Sequence, residues 1–268
     1  MSSPIVPIHD WQLALAGVLV LLAGAVSAAL RLGLLRSLVW GALRAAVQLT
    51  LIGYVLVYLF RFDNPLLTGA ALLVMAVVAA ATAVRRGMGG APGGLPLSFL
   101  ALTATTGLVG IVVVRGVIEP HPWYAARIVI PIGGMILGNA MNAVALAWER
   151  LHSEVRRRRP EVEALLSWGA TPWEAVAEAA RTAVRAGMLP TVNSLAVVGL
   201  VTLPGMMTGQ ILAGADPRQA VRYQIVVMLM VAAAAALGCL LLVVLAYRRL
   251  FSPEGWLQLP EDQHRDRP

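Results

Sequence analysis

The side chains that could do chemistry in this chain are few, and most lie in apolar surroundings. Met206 and Met207 carry soft thioethers, which suit Cu(I) better than hard ions. They are neighbours, so on an unbroken helix they point about 100° apart and cannot both face one ligand. Packing is the plainer role for them. Asn139, Asn142, Asn193, Gln48, Gln210 and Gln224 place neutral amides in or beside apolar runs. Arg44 stands one helical turn before Gln48. A central Arg in lipid costs about 2.5–3.5 kcal/mol, so it either snorkels to phosphates or meets a partner in a gating or packing contact. We take these residues, with Pro204 and Gly205, as candidates for a path and its gate.

Other chemistries are excluded by what is missing. Every basic residue is Arg; the chain has no Lys, so a GxxxxGK[ST] phosphate loop cannot exist in it. Cys239 is the only cysteine, which excludes an internal disulfide and a cysteine-based metal cluster. His9, His121, His152 and His264 fall in loops or tails, and no HExxH run occurs. Catalytic residues and a metal site are therefore not assignable. The predicted chain is not an enzyme and binds no cofactor of its own.

The elements that must position these residues follow from composition. Of 268 residues 59% are hydrophobic and only 13% charged, with a mean hydropathy of +0.76. A soluble domain carries about a quarter charged residues. The polar surface is too small for water, and a bilayer resolves the mismatch. The predicted fold is an all-α integral membrane protein. Apolar runs near 11–30, 38–60, 65–84, 97–114, 125–147, 190–213 and 220–247 give about seven transmembrane helices. None shows the alternation of a membrane strand. The net charge of +7 reads as Arg-rich inner loops, not as a nucleic-acid surface. Placing the N-terminus outside and the C-terminus in the cytoplasm puts Arg31, Arg36, Arg85, Arg86, Arg150, Arg156 to Arg159, Arg181, Arg185, Arg248 and Arg249 inside. Residues 1–250 form one permease-like domain, with residues 251–268 a polar, frayed tail. The first run ends without a cleavage signal and reads as a retained helix. Residues 85–96, RRGMGGAPGGLP, read as a flexible turn.

Two further patterns bear on packing. Gly134 with Gly138, and Gly205 with Gly209, are small-xxx-small pairs that permit close helix approach. Pro204-Gly205 lies inside the sixth run, where it removes a backbone donor and predicts a kink or break. Broken helices at membrane depth mark substrate pathways.

Between the fifth and sixth runs, residues 148–189 form the one sizeable polar segment, read as two short cytoplasmic helices. Gly169 closes the first. Thr171, Pro172 and Glu174 supply N-cap, first-turn proline and capping-box partner for the second, which runs toward Pro190. Trp168 and Trp173 are aromatic anchors suited to a protein partner or to lipid headgroups. The segment reads either as a docking element or as an ordinary connecting hairpin.

The run Glu163-Ala164-Leu165, three residues, then Gly169-Ala170-Thr171-Pro172, with Leu189-Pro190 following, resembles the coupling motif of ABC-transporter permeases, with a longer gap to Leu-Pro. Over the whole chain the sequence resembles the FetB family, the permease half of a small ABC transporter of iron. Arg44-Ala45-Ala46-Val47-Gln48 with Gly53-Tyr54, Ile130 to Met141, Leu189 to Ser194, Val198 to Gly209, and Tyr223-Gln224-Ile225 carry the resemblance. It implies a homodimer in the bacterial cytoplasmic membrane, joined by two copies of a cognate ABC ATPase that holds ATP and Mg. Residues Glu163 to Trp173 would be the ATPase-coupling element. It implies export of iron or another metal; a nucleotide sugar or other small solute is the alternative. A stand-alone secondary transporter or channel would need intramembrane carboxylates, and the seven runs hold no interior Asp or Glu.

Overall fold

The computed structural model describes residues 9–87, 93–252 and 255–258. The described part is all-helical, and six of its helices are long and apolar enough to cross a membrane. They are α1 (Asp10–Ala29), α2 (Leu35–Phe62), α3 (Pro65–Gly87), α4 (Gly94–Val113), α5 (Ala126–Arg157) and α9 (Pro217–Ala246). Between α5 and α9 lie α6 (Arg159–Ser167), α7 (Pro172–Val197) and α8 (Gly205–Leu212). A π-helical turn, Val114–Ile118, extends α4, and a 3₁₀ turn, Tyr247–Leu250, extends α9.

Helix α5 is the hub. At 32 residues it is about 48 Å long, well beyond the roughly 30 Å of a bilayer core. It packs along α3, α7 and α9, and α4 fills the space between α3 and α9. Small residues set these seams. The buried face of α7 is Ala175, Val176, Ala179, Ala180, Ala183 and Gly187, a helical stripe with almost no bulk. At Gly187 the three helices come closest: a Cβ there would stand 2.6 Å from Ala143 O on α5 and 2.5 Å from Cys239 Sγ on α9. The pairs picked out in the sequence do not make these seams. Gly138, Gly205 and Gly209 have no atom of another element within 4 Å of a Cβ position, and only Gly134 touches a neighbour, Met75.

The sixth predicted run is not one helix. Helix α7 passes straight through Pro190 and stops at Val197; the turn 198–204 follows, then the two-turn α8. Gly199 at φ +81° makes the stop, and Gly199 N–H donates to Thr202 O at 2.9 Å. Pro204 then caps α8. The break expected from Pro204-Gly205 is present, and it begins several residues earlier. Nor are there two short cytoplasmic helices: α6 is short, but α7 runs 26 residues through Pro190, its buried stripe ending at Gly187 and its last turns largely exposed.

The helix ends segregate into two levels. At one, Trp173 meets Tyr247 edge-on at 5.0 Å, Gly93 adjoins Arg249, and Gly87 adjoins Ala145. At the other, Asp63 Oδ1 accepts from Ala126 N–H at 2.8 Å, and Arg115 lies over Trp123 at 4.9 Å. Helices α1 and α2 stand apart; α2 reaches the hub near its C-terminal end, where Leu59 packs on Ala126 and Ile130. Residues 88–92 of the predicted flexible turn, and 259–268 of the predicted frayed tail, lie outside the described residues. The described start of the tail is not frayed: Phe251 bridges Leu257, and Leu257 is buried in the core because its apolar side chain caps the end of the bundle.

Candidate translocation path and coupling segment

Two adjacent cavities follow the broken helix. The first, about 240 Å³, lies between α5, α7 and α9 and is lined by Met135, Asn139, Asn142, Thr191, Ser194 and Met228, among others. Its polarity is local and uncharged. Asn139 Nδ2 donates back to Met135 O at 2.8 Å. Asn142 Oδ1 accepts from Arg86 Nη1 of α3 at 3.1 Å. The second, about 260 Å³, lies between α5, α8 and α9. Met135, Met206, Gln210, Tyr223 and Met230 line it. Met135 and Val227 belong to both walls, so the cavities abut.

Three backbone features open this region. Pro131 in α5 and Pro190 in α7 remove one helix donor each, and the turn 198–204 interrupts the chain altogether. Each releases carbonyls that must face protein or water at membrane depth.

Of the candidate residues, the structure brings Asn139 and Asn142 to one cavity, and Met206 and Gln210 to the other. Met206 and Met207 do point apart: Met206 lines the cavity and Met207 is buried. Gln224 is buried in α9 with Oε1 unpartnered, and Gln210 Oε1 is likewise buried without a donor. Asn193 is exposed on α7, outside both walls, while its neighbours Thr191 and Ser194 line the first. Pro204 and Gly205 stand at the break. Arg44 and Gln48 are exposed on α2, away from both cavities. Sequence reasoning missed Met135, Met228, Met230, Thr191 and Arg86. Only the Met-rich composition of the apolar runs hinted at the first three. Among the described residues, no three His, Cys, Asp or Glu side chains gather where they could hold a metal ion.

The segment before α7 is built by local rules. Gly169 takes φ +88° and ends α6, and Trp168 beside it is 82% exposed. Ala170 N–H donates to Leu165 O at 3.0 Å, closing the turn. Thr171 caps α7: its Oγ1 accepts from Glu174 N–H at 3.3 Å, and Glu174 Oε2 accepts from Thr171 N–H at 2.8 Å. These bonds from Thr171 hold the Glu174 carboxyl below its ordinary value. Pro172 occupies the first turn. Trp173 is the inward member of the aromatic pair, against Tyr247. Glu163 accepts from Arg159 at 2.7 Å on α6, Ala164 O accepts from Ser167 Oγ, and Val162 pins α6 into the core. Upstream, Glu154 at the end of α5 lies under Arg150, Arg157 and Arg158, which fold over it at 2.6–3.3 Å. This ties the end of α5 to the start of α6.

Residues 10–251 match the model of an uncharacterised protein family, UPF0014, and the chain belongs to that family of membrane proteins. It is 41% identical over 252 residues to the UPF0014 membrane protein YjkA of Bacillus subtilis, covering 93% of this chain and 98% of that one. It is 40% identical over 246 residues to the probable iron export permease protein FetB of Escherichia coli, covering 91% and 93%. A plant relative, the protein Aluminum Sensitive 3 of Arabidopsis thaliana, is 34% identical over 245 residues, covering 91% and 88%. No solved structure matches.

Proposed function

We propose that the chain is the permease subunit of an ABC transporter in the bacterial cytoplasmic membrane, working as a homodimer with two copies of a separate ATPase. The observation that carries this is the joining of coupling segment and break by one rod. Helix α7 starts at the capped Thr171, beside the exposed Trp168, and runs about 39 Å without interruption to the turn that flanks both cavities. Force applied at Trp168 and Gly169 by closing ATPases would move the far end of α7 relative to α8. The two cavities would then open alternately.

The same geometry supports seven crossings. Helix α7 begins level with the end of α9, at Trp173–Tyr247, and α8 packs level with its start, beside Tyr223. Together they traverse the bundle, so the termini fall on opposite sides. Arg85, Arg86, Arg156 to Arg159, Arg248 and Arg249 gather at the α7 N-terminal level, which makes that level cytoplasmic. A second copy supplies the cover that the break needs. Leu200 is 89% and Val201 79% exposed at the turn, and open backbone at membrane depth persists only beside protein or water. The free faces of Gly205 and Gly209 on α8 suit close approach by that copy.

Kinship with an iron export permease makes a metal the leading cargo. The test is ATP hydrolysis by a candidate ATPase reconstituted with the permease in liposomes. Hydrolysis that rises with the permease and falls to the ATPase-alone rate with Trp168→Ala supports the reading. A rate indifferent to the permease contradicts it.

A further inference from the structure

We propose that the cavity between α5, α8 and α9 is a binding site for a soft monovalent metal cation, Cu(I) or Ag(I), held by the thioethers of Met135, Met206 and Met230. This rests on the permease reading only in treating the cavity as a station on the cargo's route. Three helices each contribute one methionine to this wall. Flexible methionines used merely as packing would fill the gap between them, since cores close to crystal-like density. Here a space of about 260 Å³ remains, room for roughly eight waters at liquid density.

The second observation is Gln210. Gln210 lines the same wall, with its Oε1 turned away from the cavity, buried and without a donor. An amide oxygen left unpaired gains by rotating toward a cation in the cavity, bare or carrying one water. Tyr223 adds a phenol at the rim. The donor set is therefore three neutral sulfurs and one neutral oxygen. Thioethers select soft ions, whereas Fe(II) and harder ions want imidazole or carboxylate, and neither is on the wall.

The charge on the wall opposes every cation and ranks them by valence. Arg127 is the cationic residue of the wall, its guanidinium set 5.9 Å from the Phe60 ring of α2. Its repulsion of a divalent ion is twice that of a monovalent one at the same distance. With no anion in the cavity to offset either, the site favours the lower charge. Met228, facing the adjoining cavity that shares Met135, gives the ion a next thioether toward Asn139 and Asn142.

The test is Cu(I) retention by the purified full chain in detergent, titrated against a chromogenic Cu(I) chelator under reducing conditions. A Cys239→Ala background removes the one thiol. The chain should hold one Cu(I), and Met135→Leu, Met206→Leu, Met230→Leu combined should abolish retention. Leucine nearly conserves the volume, so folding is kept and is confirmed by helix content and elution. Gln210→Leu should weaken retention about tenfold, as loss of a supporting group does, and Met75→Leu with Met188→Leu should change nothing. No Cu(I) held, Cu(I) held equally by the triple variant, or Fe(II) displacing Cu(I) would each overturn the proposal. ATPase capture without Cu(I) retention sinks this site alone; Cu(I) held by the trio without ATPase capture supports the site and removes the permease reading.

Discussion

Gly187 is where a single methyl group should matter most. A Cβ at this position would lie 2.5 Å from Cys239 Sγ, 2.6 Å from Ala143 O and 3.1 Å from Ala147 Cβ. The sulfur belongs to α9 and the other two atoms to α5, so α7 is pressed from two sides. A main-chain oxygen cannot rotate away, and α5 and α7 must part by several tenths of an ångström. Overpacking of this kind costs about 1–3 kcal/mol, and contact with fixed backbone places it near the top of that range. Alanine in place of glycine returns about 1 kcal/mol of helix propensity. The net loss for Gly187→Ala is then about 1–2 kcal/mol. Gly138→Ala meets no atom within 4 Å and keeps only the propensity gain, up to about 1 kcal/mol. The two variants should therefore differ by about 2–3 kcal/mol in opposite directions. Thermal unfolding in one detergent, followed by circular dichroism, reads this as Gly187→Ala below and Gly138→Ala at or slightly above the parent, separated by several degrees. Equal midpoints, or Gly138→Ala the weaker, would refute this close packing of α7 on α5.

Other expectations concern the coupling segment and the break. Thr171→Ala removes the cap of α7 and should cost about 1 kcal/mol, seen as faster amide exchange in its first turn with slower exchange retained around Ala183. The cap should also respond to acid. Glu174 is held below its ordinary pKa by Thr171, so its contribution is present above that ordinary value and is lost as pH falls through the lower folded one. First-turn exchange should accordingly rise only in the acid range, and Glu174→Gln should flatten the response. Exchange that is pH-independent in the parent, after correction for intrinsic rates, would count against the capping box. Leu200→Cys in a Cys239→Ala background should form disulfide-linked dimers in membranes on mild oxidation, whereas Leu66→Cys, exposed in the first turn of α3, should not. Cross-linking at both positions alike would speak against an interface at the turn.

Much of the fold was legible because lipid leaves the backbone little choice. Long apolar runs must be helices, and the arginines mark their ends. The turn between α6 and α7 was legible for a different reason. Gly169, Thr171, Pro172 and Glu174 act through bonds spanning three or four residues, which a sequence displays directly. The sixth run misled because hydropathy is blind to backbone conformation. Leu200, Val201 and Leu203 are as apolar as any span, yet Gly199 in a left-handed conformation ends the helix ahead of them. Pro190 misled in the other sense: it costs one backbone donor, and α7 continues past it to Val197. The cavities were not legible. Met135, Met206 and Met230 have no common spacing and meet only through the packing of α5, α8 and α9. Arg86 reaches Asn142 across 56 residues of chain. The glycine pairs were visible but misplaced: contact is made at Gly187 and Gly87, which belong to no such pair that the sequence singled out.

The central claim is that α7 links an ATPase dock to the membrane break, and capture of the ATPase tests it most directly. The full chain, extracted from membranes with candidate ATPases from its neighbouring reading frames, should co-purify with one of them in equal amounts. Trp168→Ala should lose the partner while keeping the parent's thermal midpoint, because Trp168 is almost wholly exposed. Gly169→Pro, which cannot adopt φ +88°, should lose it too. Capture that survives both substitutions, or the absence of any stable ATPase complex with the parent chain, would contradict the account.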